Sequence, residues 1–130
     1  MIVKVIKSLL DSNGDLNDLV PINNRYPYVI NEGTSLPAVV YTIDSLSPEY
    51  DKDGWVLDTI EFSVVTFSND YSSLQDIVAQ VRLALELEKG IVEDITIERI
   101  YLTGQAEGYN IDENCFLSKL TFVVEVKVYE

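Results

Sequence analysis

The sequence predicts an α+β fold: an antiparallel β-sheet of about four strands, with a long helix packed on one face and a short N-terminal helix. Three observations carry that expectation. Apolar residues recur at helical spacing in the first ten positions and again between residues 72 and 89, whereas β-branched and aromatic residues alternate with polar ones over residues 36–67 and 95–128. The order of these patterns is helix, extended segment, two strands, helix, two strands, which suits an antiparallel sheet better than a doubly wound one. No internal repeat and no linker divides the chain, so residues 1–130 are expected to form a single domain.

Each element has its own signal. Ile2, Val3, Ile6, Leu9 and Leu10 form one apolar stripe with Lys4, Lys7 and Ser8 between them, and the helix they predict ends in Asp11-Ser12-Asn13-Gly14. A further helical turn through Leu16, Leu19 and Val20 stops at Pro21, which lacks an N–H and disfavours a helical residue before it. Residues 23–30 then read as a short strand or edge segment, followed by a turn-rich loop at Asn31, Glu32, Gly33, Thr34 and Ser35. Leu36 to Ile43 is strand-like, with Pro37 at its entrance where a missing donor does least harm. Pro48 and the run Asp51-Lys52-Asp53-Gly54 give residues 44–54 the composition of an exposed turn, and a second strand starts near Trp55, with Ile60, Phe62 and Val64 on one face. Leu74, Ile77, Val78, Val81, Ala84 and Leu85 define a helix over Ser72–Lys89, with Ser72 and Gln75 spaced as a capping box and Gly90 as its stop. Strands follow at Ile95–Thr103 and Phe116–Val128, separated by a polar loop from Gly104 to Asn114.

Composition excludes several kinds of function. With 22 acidic against 9 basic residues the net charge is −13, and the pI is near 4.1 with a mean hydropathy of +0.09. No basic field exists to neutralise phosphates or to hold an anionic membrane, so neither sequence-specific nucleic acid nor a membrane is an expected partner. There is no His and only 1 Cys, which removes Ser-His and Cys-His catalysis, His-ligated metals and thiolate zinc clusters. Cys115 beside Phe116 and Leu117 fits a small buried hydrophobe in a reducing compartment, and the absence of a long apolar run or cleavage site suggests a soluble, unprocessed cytoplasmic chain.

The remaining chemistry is weak. Asp11, Asn13 and Asp15 imitate the start of an EF-hand loop, but Leu16 stands at the turning glycine and Ile22 at the closing acid. Glu49, Asp51 and Asp53 with Gly54 imitate it again, yet Ile60 replaces the closing glutamate, which falls one residue late at Glu61. No metal or cofactor is expected at either turn. Glu86, Glu88, Glu93, Asp94, Glu98, Glu107, Asp112 and Glu113 offer carboxylate pairs without an apolar pocket to single one out, so no catalytic residue is assigned. The aromatic set Tyr26, Tyr28, Tyr41, Tyr50, Trp55, Tyr71, Tyr101 and Tyr109 lacks interleaved basic residues, and core packing or a protein interface explains it better than a stacking platform for single strands or sugars. Arg25 and Arg82 each have two readings, an ion pair within the chain or a pair between subunits.

Taken together, Arg25-Tyr26-Pro27, the loop with Gly33, Leu36-Pro37-Ala38-Val39-Val40-Tyr41, Ile60-Glu61-Phe62-Ser63-Val64 and Val78-Ala79-Gln80-Val81-Arg82-Leu83-Ala84-Leu85 resemble the tail-completion, or tail-terminator, proteins of long-tailed bacteriophages and prophages. The likeness runs from Ile2 to Tyr129, departing in the acidic stretch from Glu93 to Glu113. It implies a non-enzymatic virion component that joins head to tail as a homo-oligomeric ring, commonly sixfold, at the head-proximal end of the tail tube. Its partners would be further copies of itself, the tail-tube protein and head–tail connector proteins, and its location the virion tail after assembly in the host cytoplasm. Arg25, Asn31, Glu32, Gly33, Thr34, Ser35, Glu49, Asp51, Asp53 and Arg82 are the expected interface residues, chosen as polar and exposed. The rival readings are a small cytoplasmic binding or regulatory domain and a carboxylate enzyme.

Overall fold

The computed structural model describes residues 2–30 and 33–127. Its elements run α1 (Ile2–Asp11), α2 (Gly14–Leu19), a 3-10 turn (Ile22–Asn24), β1 (Arg25–Pro27), β2 (Ala38–Asp51), β3 (Gly54–Ser68), α3 (Tyr71–Leu85), β4 (Gly90–Val92), β5 (Ile95–Asn110) and β6 (Cys115–Lys127). The strands form one six-stranded sheet in the order β1-β2-β3-β6-β5-β4, curled as a half-barrel and accompanied by three short helices. This overturns the expected four-stranded antiparallel sheet with a long helix. Strand outweighs helix, β1 and β4 are added at the two edges, and β1 lies parallel to β2 while the other pairs are antiparallel.

The reasons for the correction are local. Residues 44–51 continue β2 because they pair with β3 as far as Asp51↔Gly54, although each is exposed and reads as a turn. The polar stretch after Gly104 continues β5 to Asn110 for the same reason, being held by β6 down to Asn110↔Cys115. The helix α3 is 15 residues long and ends at Leu85, before the glycine stop. Beyond Glu86 the chain is captured by the sheet, where the Leu87 N–H donates to the Ile100 carbonyl at 2.8 Å. Gly90, with φ +110, instead turns the chain into β4, a conformation that side chains resist. At the start of α3 the cap is Asp70, whose Oδ2 accepts the Ser73 N–H at 2.9 Å, while Gln75 donates across to Glu107 at 2.7 Å.

One apolar cluster joins the helices to one face of the sheet. Val39 and Tyr41 of β2, Ile60, Phe62 and Val64 of β3, Leu120, Phe122 and Val124 of β6, and Ile97 and Ile100 of β5 meet Val5, Ile6, Leu9 and Leu10 of α1 and Leu74, Ile77, Val81 and Leu85 of α3. Alternation along β2, β3 and β6 puts their residues on the same face, as a period of two requires, and in β5 the irregularity in register between Ile97 and Arg99 brings Ile97 and Ile100, three residues apart, onto that face together. At the centre Phe62 and Phe122 are register neighbours, with rings stacked 5.3 Å apart at 15°. The expected buried face of the helix, Leu74, Ile77, Val78, Val81 and Leu85, is buried.

Val81 is fully enclosed, so Val81→Asp places an unpaired carboxylate in this cluster. That costs several kcal/mol against the roughly 5–15 kcal/mol holding a typical domain together. Circular dichroism with thermal melting should show loss of the cooperative transition, and an unchanged midpoint would contradict the packing of α3.

Candidate functional site

Arg25 begins β1 and points inward, with its side chain 0% exposed. Its Nη1 donates to Asp11 Oδ1 at 2.8 Å, and its Nη2 donates to Asn17 Oδ1 at 2.7 Å and to the Val20 carbonyl at 3.1 Å. Lys7 holds the other oxygen of Asp11 at 2.7 Å. The guanidinium therefore ties the end of α1, the middle of α2 and the residue capping α2 to the first strand. Burial raises the pKa of the Tyr41 phenol in this neighbourhood, against the opposing pull of Lys7 and Arg25. The expectation of an exposed Arg25 contact is corrected by this burial. The same bonds occupy the first acidic turn: Asp11 is neutralised by two cations, and Asn13 Oδ1 accepts the Leu16 N–H at 2.9 Å as the cap of α2.

The other expected interface residues fall in separate places. Gly33, Thr34 and Ser35 line a groove of about 680 Å³ shared with Phe67, Asn110 and Cys115, and Asn31 and Glu32 lie outside the described residues. Asn24 secures the loop by donating to the Ser35 carbonyl at 2.8 Å and the Pro37 carbonyl at 3.1 Å. Glu49, Asp51 and Asp53 stand at the far end of β3 from this groove, at the exposed end of the β2–β3 hairpin. There Asp51 Oδ1 accepts the Asp53 N–H at 2.8 Å, which orders the turn. Arg82 makes a two-pronged bond to Glu86 one turn along α3, at 2.9 and 3.0 Å. Among the described residues no three His, Cys, Asp or Glu side chains converge on a point that could hold a metal ion, and no helix is long and apolar enough to cross a membrane.

The carboxylates and tyrosines are dispersed in structural contacts. Glu107 accepts from Tyr71 at 2.9 Å and from Gln75, a bond that raises the Tyr71 pKa. Tyr71 and Tyr109 both pack edge-on against Phe116, while Arg99 pairs with Glu125 and lies 4.5 Å over the Tyr101 ring.

The sequence pointed to a short strand or edge segment at residues 23–30, where β1 lies, but missed β4 and the residues that extend each edge. At one edge β1 pairs only with Val39–Tyr41, and Tyr28 prolongs that cover by donating its N–H to the Tyr41 carbonyl at 3.0 Å and accepting the Ile43 N–H on its hydroxyl at 3.4 Å. At the other edge β4 pairs only with Ile95–Ile97, and the Leu87 N–H prolongs it to Ile100. Tyr28 and Leu87 both adopt left-handed backbones, φ 68 and φ 66, and their side chains are 57% and 75% exposed. A left-handed conformation costs a non-glycine residue about 1–2 kcal/mol, so in each case the edge hydrogen bond holds the strained backbone. No composition signal marks such a residue; Leu87 reads simply as more helix.

The architecture is thus a curled mixed sheet with its helices on one face and a three-residue strand at each edge. No family model and no curated protein matches the chain. A solved structure shares the fold at a TM-score of 0.81 and 14% identity, covering 95% of this chain and 92% of that one; it is described as the virion of a native gene transfer agent particle.

Two measurements follow from the site. Arg25→Ala strands Asn17 and the buried Val20 carbonyl, while the part-exposed Asp11 keeps Lys7 as its partner, so denaturant unfolding should show a loss of about 1–3 kcal/mol; a loss under about 0.5 kcal/mol would deny the network its role. Cys115 is buried, and burial pushes its thiol pKa up, so a thiol-exchange reagent at pH 8 should label it slowly until denaturant is added. Fast labelling of the native chain would place the thiol in solvent.

Proposed function

We propose that the protein is a non-enzymatic structural component of a phage-like virion, a single tail-terminator-like domain spanning residues 1–130. It completes the tail tube at its head-proximal end and joins it to the head, as a homo-oligomeric ring. The observation that carries this reading is the fold shared over nearly the full length of both chains with a protein of a gene transfer agent virion. The sequence resemblance to tail-completion proteins, which rests on other features, points the same way. The dispersal of the carboxylates and the lack of His support a binding role over catalysis. Partners in this reading are further copies of the chain, the tail-tube protein and the head–tail connector. Gly33, Thr34, Ser35, Glu49, Asp51, Asp53 and Arg82, with Asn31 and Glu32, remain candidate contacts, while the buried Arg25 acts through the fold.

Charge sets the conditions for assembly. Six copies at −13 each gather a charge of about −78, and repulsion on that scale opposes association unless salt screens it. An acidic conduit also repels DNA phosphates, so a genome can pass without adhering. Light scattering across a salt series should show growth from monomer towards a closed oligomer as ionic strength rises past about 0.1 M, where the Debye length is roughly 10 Å. A mobility-shift assay should show no duplex DNA binding. A monomer at every salt and protein concentration, or tight DNA binding, would remove the support for a ring-forming tail component.

A further inference from the structure

The two sheet edges have complementary outlines. Register across the sheet aligns Val40 of β2 with Val65, Lys119 and Ala106 of β5, and aligns Ser47 of β2 with Thr59, Glu125 and Arg99 of β5. At the first edge β1 and Tyr28 cover β2 from Val39 to Ile43, and among the described residues no strand pairs with the outer side of Asp44–Asp51, the bare half of β2. At the opposite edge β4 and Leu87 cover β5 from Ile95 to Ile100, and among the described residues no strand pairs with the outer side of residues 101–110, the bare half of β5. The bare half of each edge is therefore level with the short strand of the other.

From this outline we propose that a second copy of this chain docks edge to edge, with β4 of one copy beside the bare half of β2 in the next, and β1 of that next copy beside the bare half of β5. Each step is one strand wide, about 4.8 Å, so β4 and β1 occupy the same column between β5 of one copy and β2 of its neighbour. Strand directions run β2 up, β3 down, β6 up, β5 down and β4 up, which makes the β4–β2 joint parallel and the β5–β1 joint antiparallel. Both pairings satisfy backbone groups that an open edge otherwise leaves free for aggregation. Exposed apolar side chains mark the same places. Leu87 and Ile91 sit at the β4 step and Leu46 and Tyr50 on the bare half of β2, while Tyr28 lies at the β1 step and Tyr109 near the end of the bare half of β5. Because the two surfaces differ, the contact is head to tail, which closes into a ring or extends into a filament. The inference rests on the self-association proposed above and assigns its surfaces.

Disulfide trapping tests it. Ile91 pairs with Thr96, which is level with Lys127, Leu57 and Glu49, so cysteines at 91 and 49 should meet across the joint. In a Cys115→Ser background, the double variant Ile91→Cys with Glu49→Cys should give a ladder of multimers on a non-reducing gel after mild oxidation at high salt. Each single variant should stay monomeric, and a mixture of the two singles should give dimers and nothing larger. Dimers from Ile91→Cys alone would show an edge meeting itself and overturn the proposal. So would an absence of cross-links while light scattering still shows an oligomer, an outcome that leaves the ring reading standing. A protein that remains monomeric at every salt concentration overturns both readings. Thermal melts of each variant against the parent confirm that these exposed substitutions leave the fold intact, as surface changes usually do within about 0.5 kcal/mol.

Discussion

The buried guanidinium of Arg25 is the tie on which the N-terminal half of the molecule depends. A three-residue parallel strand has too few bonds to hold its place alone, and parallel pairing is the less stable kind. Arg25 supplies the missing hold by reaching from β1 into Asp11, Asn17 and the Val20 carbonyl, three groups at successive points of α1 and α2. The arrangement gives both terminal nitrogens of the guanidinium partners that burial would otherwise make costly to lack, while Nε is buried without one. It also fixes where the chain emerges from β1, and so where Pro27 and Tyr28 meet the edge of β2. A residue that looks like a surface contact in the sequence thus shapes the surface from within.

A comparable device works at the opposite edge with different chemistry. There the hold on β4 comes from the backbone: α3 ends, Leu87 takes a left-handed turn, and its N–H closes on β5. Both devices spend conformational strain on a large apolar residue that ends up facing water. Strained residues persist where the surrounding structure over-determines them, and they concentrate at functional positions. Two such residues at opposite edges of one sheet, each at the limit of a short strand, relate the strain to the shape of the edges more directly than to any pocket.

The parts legible in the sequence are those where burial imposes a period. Phe62 and Phe122, Leu74 to Leu85, and the first helix are readable because one face of each element is apolar and the other is not. The long outer halves of β2 and β5 were illegible for the opposite reason. With exposed residues such as Ser45, Ser47, Glu49, Thr103 and Gln105, their composition matches that of a turn, and only cross-strand pairing makes them strand. The end of α3 was missed because a tertiary hydrogen bond at Leu87 acts before the glycine that sequence rules favour. Of the candidate site, residue type suggested the hairpin end and the loop near Gly33, but the stepped edges depend on the register between distant strands, which no local pattern encodes.

Folding and edge shape are therefore coupled unequally along the chain. Removing Arg25 weakens the subunit and the β1 step together, so a loss of association in such a variant says nothing about the contact itself. Exposed positions such as Ile91, Leu46 and Glu49 have the opposite character, since little of the subunit's stability passes through them. The strong negative charge adds a further distinction. Repulsion between copies is long-ranged and falls with salt, whereas strand pairing and apolar contact act only at touching distance and are less sensitive to screening. In the proposed assembly, a chain built in this way stays dispersed while its edges are apart and holds firmly once they meet.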